Sequence, residues 1–109
     1  MGTIEIRRYV TASGKDVVGE WLANLKDVRA QARIHARIAR LAVGNFGDCK
    51  PLREGVSELR IDHGPGYRVY FARVGKAVVL LLGGGDKRRQ SADIVDAIAS
   101  LRDFEKRNR

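Results

Sequence analysis

The chain has 109 residues, 44% of them hydrophobic and 31% charged, a globular composition in a length that suits one domain, residues 1–109, rather than two. Its 21 Lys and Arg outnumber 13 Asp and Glu, and a net charge of +8 on so small a body favours RNA, DNA or an acidic protein as partner. No apolar run approaches the ~20 residues of a membrane span, Met1 to Glu5 shows no signal-peptide pattern, and the lone Cys49 fits a reducing cytoplasm.

Thr3 to Val10 alternates, Ile4 and Ile6 against Glu5, Arg7 and Tyr9, which predicts a half-buried strand. After a turn over 11–15, Asp16 opens a helix to about Leu25. Trp21 shares the inward stripe of that helix with Leu22 and Leu25, so it reads as core packing rather than as a ligand platform. Asp27 begins a longer helix to about Val43, stopped by Gly44-Asn45, with Ile34, Ile38 and Leu41 buried. Beside that stripe, Lys26, Arg29, Arg33, Arg37 and Arg40 fall within an arc of roughly 80° at about 100° per residue. This is either a plain solvated face or a polyanion-binding ridge. No carboxylate sits at i+4 to relieve the repulsion, and only a bound anion would.

Phe46 to Lys50 reads as a loop. From Val56 the period becomes two, with Leu59 and Ile61 pointing one way and Glu58, Arg60 and Asp62 the other. His63-Gly64-Pro65-Gly66 is a hairpin connection. Tyr67 to Val74 returns with Tyr67, Val69 and Phe71 on one face and Arg68 and Tyr70 on the other. After a turn at Gly75-Lys76, the unbroken apolar run Ala77 to Leu82 suits a central strand covered on both sides. Gly83-Gly84-Gly85-Asp86-Lys87-Arg88-Arg89 reads as a flexible basic loop. Ser91 then caps a helix with Ile94, Ile98 and Leu101 inward, and the tail Lys106 to Arg109 is cationic. The order β-α-α-β-β-β-α describes an α+β domain with helices packed on a mostly antiparallel sheet.

Several chemistries fail on spacing. His35 on a helix and His63 in a turn have no metal-ligand pattern, and both are expected in solvent. The triple glycine before Lys87 lacks the spacing and the following Ser or Thr of a nucleotide loop. Cys49 has no base beside it. Strand periodicity leaves one constellation: Glu58 and Arg60 share a sheet face with Arg68 and Tyr70, while Lys87 follows the third strand and Lys50 precedes the first of the three. A carboxylate, a phenol and several cations are what metal-free RNA cleavage needs: a base for the 2′-hydroxyl proton, positive charge for the phosphorane, and an acid for the departing 5′ oxygen. The plainer alternative is a surface ion pair between Glu58 and Arg60 or Arg68.

Lys50-Pro51-Leu52, Gly55-Val56-Ser57-Glu58-Leu59-Arg60-Ile61, Gly64-Pro65-Gly66-Tyr67-Arg68-Val69-Tyr70-Phe71, Leu80-Leu81-Leu82-Gly83-Gly84-Gly85-Asp86-Lys87 and Gln90 with Asp93-Ile94 together resemble the addiction-module killer proteins of the RelE/ParE toxin superfamily, near its HigB-like and phage-derived branches. The resemblance is strongest from Lys50 to Asp96. It implies a type II toxin that enters the ribosome and cuts mRNA without metal or cofactor, leaving a 2′,3′-cyclic phosphate. It also implies a cognate antitoxin as partner, with a helix-turn-helix protein as the expected type. By position, Arg68 matches the arginine that holds the scissile phosphate and Lys87 a catalytic basic residue after the last core strand. Glu58 and Arg60 lie on the strand where relatives carry acid/base or basic groups, with Glu58 as the expected base. Several relatives have a stacking tyrosine or histidine near Asp93, so Tyr70 or Glu58 would have to supply that function here. Lys50, Arg88, Arg89 and the ridge are the expected RNA and ribosome contacts. The ParE branch shares the fold and poisons DNA gyrase by contact alone, which is the alternative reading.

Overall fold

A computed structural model describes residues 3–108; Met1 and Gly2, read above for a leader, and Arg109 of the cationic tail lie outside the described residues. The elements are β1 (Glu5–Arg8), α1 (Val17–Ala23), α2 (Val28–Ala42), β2 (Cys49–Arg53), β3 (Val56–Ile61), β4 (Tyr67–Val74), β5 (Val78–Asp86) and α3 (Gln90–Arg107), the last entered through a 3-10 turn at Lys87–Arg89. The fold is α+β. One mixed sheet runs in the order β1-β5-β4-β3-β2, with β1 parallel to β5 and the other pairs antiparallel.

The two early helices start where their caps are. Asp16 accepts from the Gly19 amide and Asp27 from the amides of Arg29 and Ala30, satisfying donors that a helix start leaves unpaired. Asp27 Oδ2 also meets His63 Nε2 at 3.1 Å, joining the β3–β4 turn to the start of α2. The Ala30 amide, and then His63, hold the Asp27 carboxyl below its ordinary range. His63 is therefore half-buried against a carboxylate, not free in solvent as expected, whereas His35 is exposed.

Apolar alternation on β5 feeds two cores. Val79 and Leu81 join Val18, Leu22, Ile34, Leu41, Leu59, Val69 and Phe71 beneath α1 and α2. Leu80 and Leu82 join Val56, Tyr70, Ala97 and Leu101 beneath α3. A strand buried on both faces has no polar alternation, which is how Ala77 to Leu82 reads in sequence. No helix among the described residues is long and apolar enough to cross a membrane.

Four further expectations are corrected. The loop over Phe46 to Lys50 gives way to an edge strand, β2, which pairs Cys49 with Leu59, Lys50 with Glu58 and Pro51 with Ser57. Its alternation is weak because only Cys49 and Leu52 turn partly inward, and Pro51 is tolerated because an edge strand leaves N–H positions unpaired. The glycine run is not a flexible loop: β5 continues through Gly83, Gly84 and Gly85 to Asp86. A Cβ at Gly84 would lie 2.3 Å from the Trp21 ring, and one at Gly85 2.0 Å from the Asp93 carboxylate. The bare strand lets Trp21 settle on one face and Asp93 on the other. The last helix begins at Gln90 rather than after Ser91, and Asp86, accepting from the Arg88 amide, starts the turn before it. Lys26 precedes the cap of α2, so helical geometry does not place it on the ridge.

Candidate functional site

The β3–β4 ladder sets Glu58 opposite Tyr70 and Arg60 opposite Arg68, and Arg68 in turn opposite Gly85 on β5. These side chains share the α3 face of the sheet, as period two requires. Where α3 begins, Gln90 Nε2 donates to Glu58 Oε1 at 2.9 Å. Arg68 Nε lies 3.5 Å from the same oxygen, and Arg60 Nε 3.9 Å from Oε2. Glu58 is the one buried charged residue of the described chain, at 2% exposure. A buried carboxylate is tolerated only when paired and hydrogen-bonded, and two guanidinium groups with one amide meet that need.

Beyond this anchored pair the sheet opens into a cleft of about 460 Å³. Arg60, Arg68 and Lys87 line it, with Asp48 and Asp62 on its rim and Gly64-Pro65-Gly66 forming one wall. The Lys87 amide donates to the Gly66 carbonyl at 2.8 Å, which ties the end of β5 to the hairpin turn. Asp48 Oδ1 accepts from Arg60 Nε at 3.0 Å and Nη2 at 2.8 Å, holding that guanidinium toward the rim.

Three of the expected catalytic residues, Arg60, Arg68 and Lys87, thus meet in one cleft, and Glu58 lies behind them. Tyr70 does not join them. Its ring is 0% exposed in the core under α3, so it cannot stack on a base. Its hydroxyl has no hydrogen-bond partner among the described residues, and burial, followed by the nearby Asp93 and Glu58, pushes its pKa up to about 12. A phenol that reluctant to ionise is a poor proton relay near neutrality. Asp93, against Gly85, is largely buried too, and its carboxyl is raised above the ordinary carboxylate range chiefly by that burial.

The expected RNA contacts divide. Lys50 stands exposed on β2 and does not line the cleft. Arg88 pairs with Asp86 at 2.9 Å and Arg89 lies 3.8 Å from Asp93, so both have local partners. On α2, Arg29, Arg33 and Arg40 are exposed, but Arg37 is structural: it donates to the carbonyls of Arg60 at 2.6 Å, Phe46 at 3.2 Å and Asp48 at 3.3 Å. A cation that satisfies three backbone carbonyls, one on β3 and two in the loop before β2, is a brace rather than part of a free ridge.

Sequence reasoning missed Asp48, Asp62 and Gln90. Asp62 continued the period of β3 one residue past its end, but Asp48 and Gln90 reach the site from separate segments, and no local pattern marks that.

No family model matches the chain. A protein of Haemophilus influenzae described as an uncharacterized protein is 48% identical over 95 residues, spanning 87% of this chain and 90% of that protein. With identity at that level across most of both chains, the present chain belongs to the same family as that Haemophilus influenzae protein.

Proposed function

We propose that this protein is the toxin of a type II toxin-antitoxin pair of the RelE/ParE superfamily, a cytoplasmic endoribonuclease that cuts mRNA at the ribosome without metal or cofactor. One observation carries the reading: Arg60, Arg68 and Lys87, from three different segments, line a single cleft with a buried carboxylate behind them. Convergent cations on a surface of net charge +8 suit a polyanion, and their fixed placement suits a charge that grows during reaction.

In this reading Arg68 and Lys87 hold the scissile phosphate. The 2′-hydroxyl attacks phosphorus and the bond to the 5′ oxygen breaks, leaving a 2′,3′-cyclic phosphate. Glu58 Oε2 accepts no hydrogen bond among the described residues, and it takes the 2′-hydroxyl proton once the Arg60 side chain swings aside. That side chain is 39% exposed, and its pair with Asp48 on the rim already draws it away from Glu58. The Lys87 ammonium returns a proton to the departing oxygen. Glu58 also fixes the direction of Arg68, so it acts on the reaction through position as well as through its charge. Tyr70 has no part. Arg29, Arg33 and Arg40 meet RNA at the ribosome, whether ribosomal or the strand being cut, and an acidic segment of the antitoxin covers the cleft. Charge complementarity speeds that association and selects the partner.

The burial of Glu58 also favours a second reading. A carboxylate sealed behind two arginines leaves no open acid/base pair, as in a gyrase poison that works by contact alone. Primer extension on total RNA after induction separates the two. Discrete cuts inside translated frames are expected; intact mRNA with gyrase-linked DNA breaks would overturn the ribonuclease.

A further inference from the structure

A second pocket, of about 250 Å³, adjoins the phosphate cleft on the α2 side of the β3–β4 hairpin, and the two share Ile61 and Asp62. Its floor is apolar, made by Ala36 and Ile61. Arg33 and Arg40 stand over it from α2, exposed and without an ion pair or hydrogen bond among the described residues, while the braced Arg37 forms part of the wall.

Asp62 is the unexpected member. It is exposed and unpaired among the described residues, between two groups of cations, where the nearby Asp48 and Asp27 each hold a partner. A carboxylate there weakens attraction for phosphate, so it suits a ligand that brings hydrogen-bond donors along with its negative charge. An ionised carboxylate accepts only, through two oxygens side by side. Apolar floor, planar guanidinium groups and a two-oxygen acceptor form the set that recognises an unstacked nucleobase in single-stranded RNA. Among the four bases, guanine alone sets two donors next to each other on its pairing edge, N1–H and the 2-amino group. Uracil flanks its one N–H with carbonyl oxygens that a carboxylate repels, and adenine and cytosine place an acceptor nitrogen beside their amine.

We propose that Asp62, with Arg33 and Arg40, forms a guanine-selective nucleotide subsite for the substrate strand, next to the cleft that holds the scissile phosphate. The proposal rests on the ribonuclease reading and adds to it the base that the strand must carry. The strand crosses the hairpin edge at Ile61 and Asp62, with one phosphate against Arg68 and Lys87 and the neighbouring base against Asp62.

Fluorescence anisotropy with labelled 2′-O-methyl hexanucleotides tests this on the intact chain, because a strand without a free 2′-hydroxyl cannot be cut. Uridine strands bearing one central guanosine, inosine or adenosine are compared with uridine alone. The guanosine strand should bind at least ~5-fold tighter than the adenosine or uridine strand, with inosine, which lacks the 2-amino group, between them. Asp62→Asn should melt with the parent protein, bind the uridine strand no more weakly, and lose the guanosine preference. Equal affinity for all strands, or a preference that survives Asp62→Asn, would overturn the subsite and leave the phosphate cleft standing. Failure of every strand to bind would overturn the subsite alone, since cleavage at the ribosome is read separately by primer extension.

Discussion

Glu58 and Arg68 meet diagonally across the β3–β4 ladder, Oε1 to Nε at 3.5 Å, with both side chains largely withdrawn from solvent. Arg68 therefore does not stand free in solvent, and its removal leaves a buried carboxylate with Gln90 and a more distant Arg60. Arg68→Ala should lower unfolding stability by about 1–3 kcal/mol in urea titration, a site at the mild end of buried pairs because Gln90 remains. The Arg68→Ala, Glu58→Gln double variant should lose less than the sum of the singles. Cleavage by Arg68→Ala should fall ~10²–10³-fold, and Arg68→Lys should recover part of it. A folded Arg68→Ala protein that arrests growth like the parent would defeat the ribonuclease reading.

Glu58→Gln separates a proton acceptor from an anchor. If the carboxylate takes the 2′-hydroxyl proton, the acidic limb of the pH–rate profile disappears along with most of the rate. A retained acidic limb over a lower plateau would assign Glu58 to positioning alone.

Tyr70→Phe deletes a buried hydroxyl that has no hydrogen-bond partner among the described residues. Stability should hold or rise by up to ~1 kcal/mol, since no bond is lost and a desolvated polar group is removed. Cleavage should stay within about twofold of the parent. A large loss of rate in a protein of unchanged melting temperature would restore the phenol to the mechanism.

The cations of α2 should respond in two different ways. Arg37→Ala, which releases three carbonyls, should cost about 1–3 kcal/mol on thermal or urea denaturation. Arg29→Glu with Arg40→Glu should change stability by less than ~1 kcal/mol, since both sites are exposed. The same pair should weaken ribosome co-sedimentation and flatten its salt dependence. Unchanged co-sedimentation would remove these arginines from ribosome binding.

Asp93 gives stability a pH dependence of defined sign. Burial raises its carboxyl above the ordinary 3.8, so the folded state holds this proton more tightly than the unfolded chain. The contribution is fully present below that ordinary value and is lost as pH rises through the raised one. Asp93→Asn, uncharged at every pH, should therefore melt above the parent near neutrality, and the gap should close as pH falls toward 4. A variant less stable than the parent at neutral pH would mean that Arg89, at 3.8 Å, outweighs the burial.

Helix starts and strand faces were legible in the chain because their causes are local. Asp16 and Asp27 cap amides two or three residues away, and period two puts Glu58, Arg60, Arg68 and Tyr70 on one face whatever lies beyond it. That face was readable, but what covers it was not. Only the docking of α3 decided that Tyr70 is sealed, that Glu58 is bound by Gln90, and that Asp93 rests on Gly85. Gly83-Gly84-Gly85 read as a loop because glycine favours turns over strands in isolation; with Trp21 and Asp93 packed on its two sides, the same lack of side chains makes it a strand. Arg37 looked equivalent to Arg33 and Arg40 for the same reason. Helical spacing fixes a direction around the axis, while the carbonyls of Phe46, Asp48 and Arg60 come from distant segments that only the folded chain brings within reach.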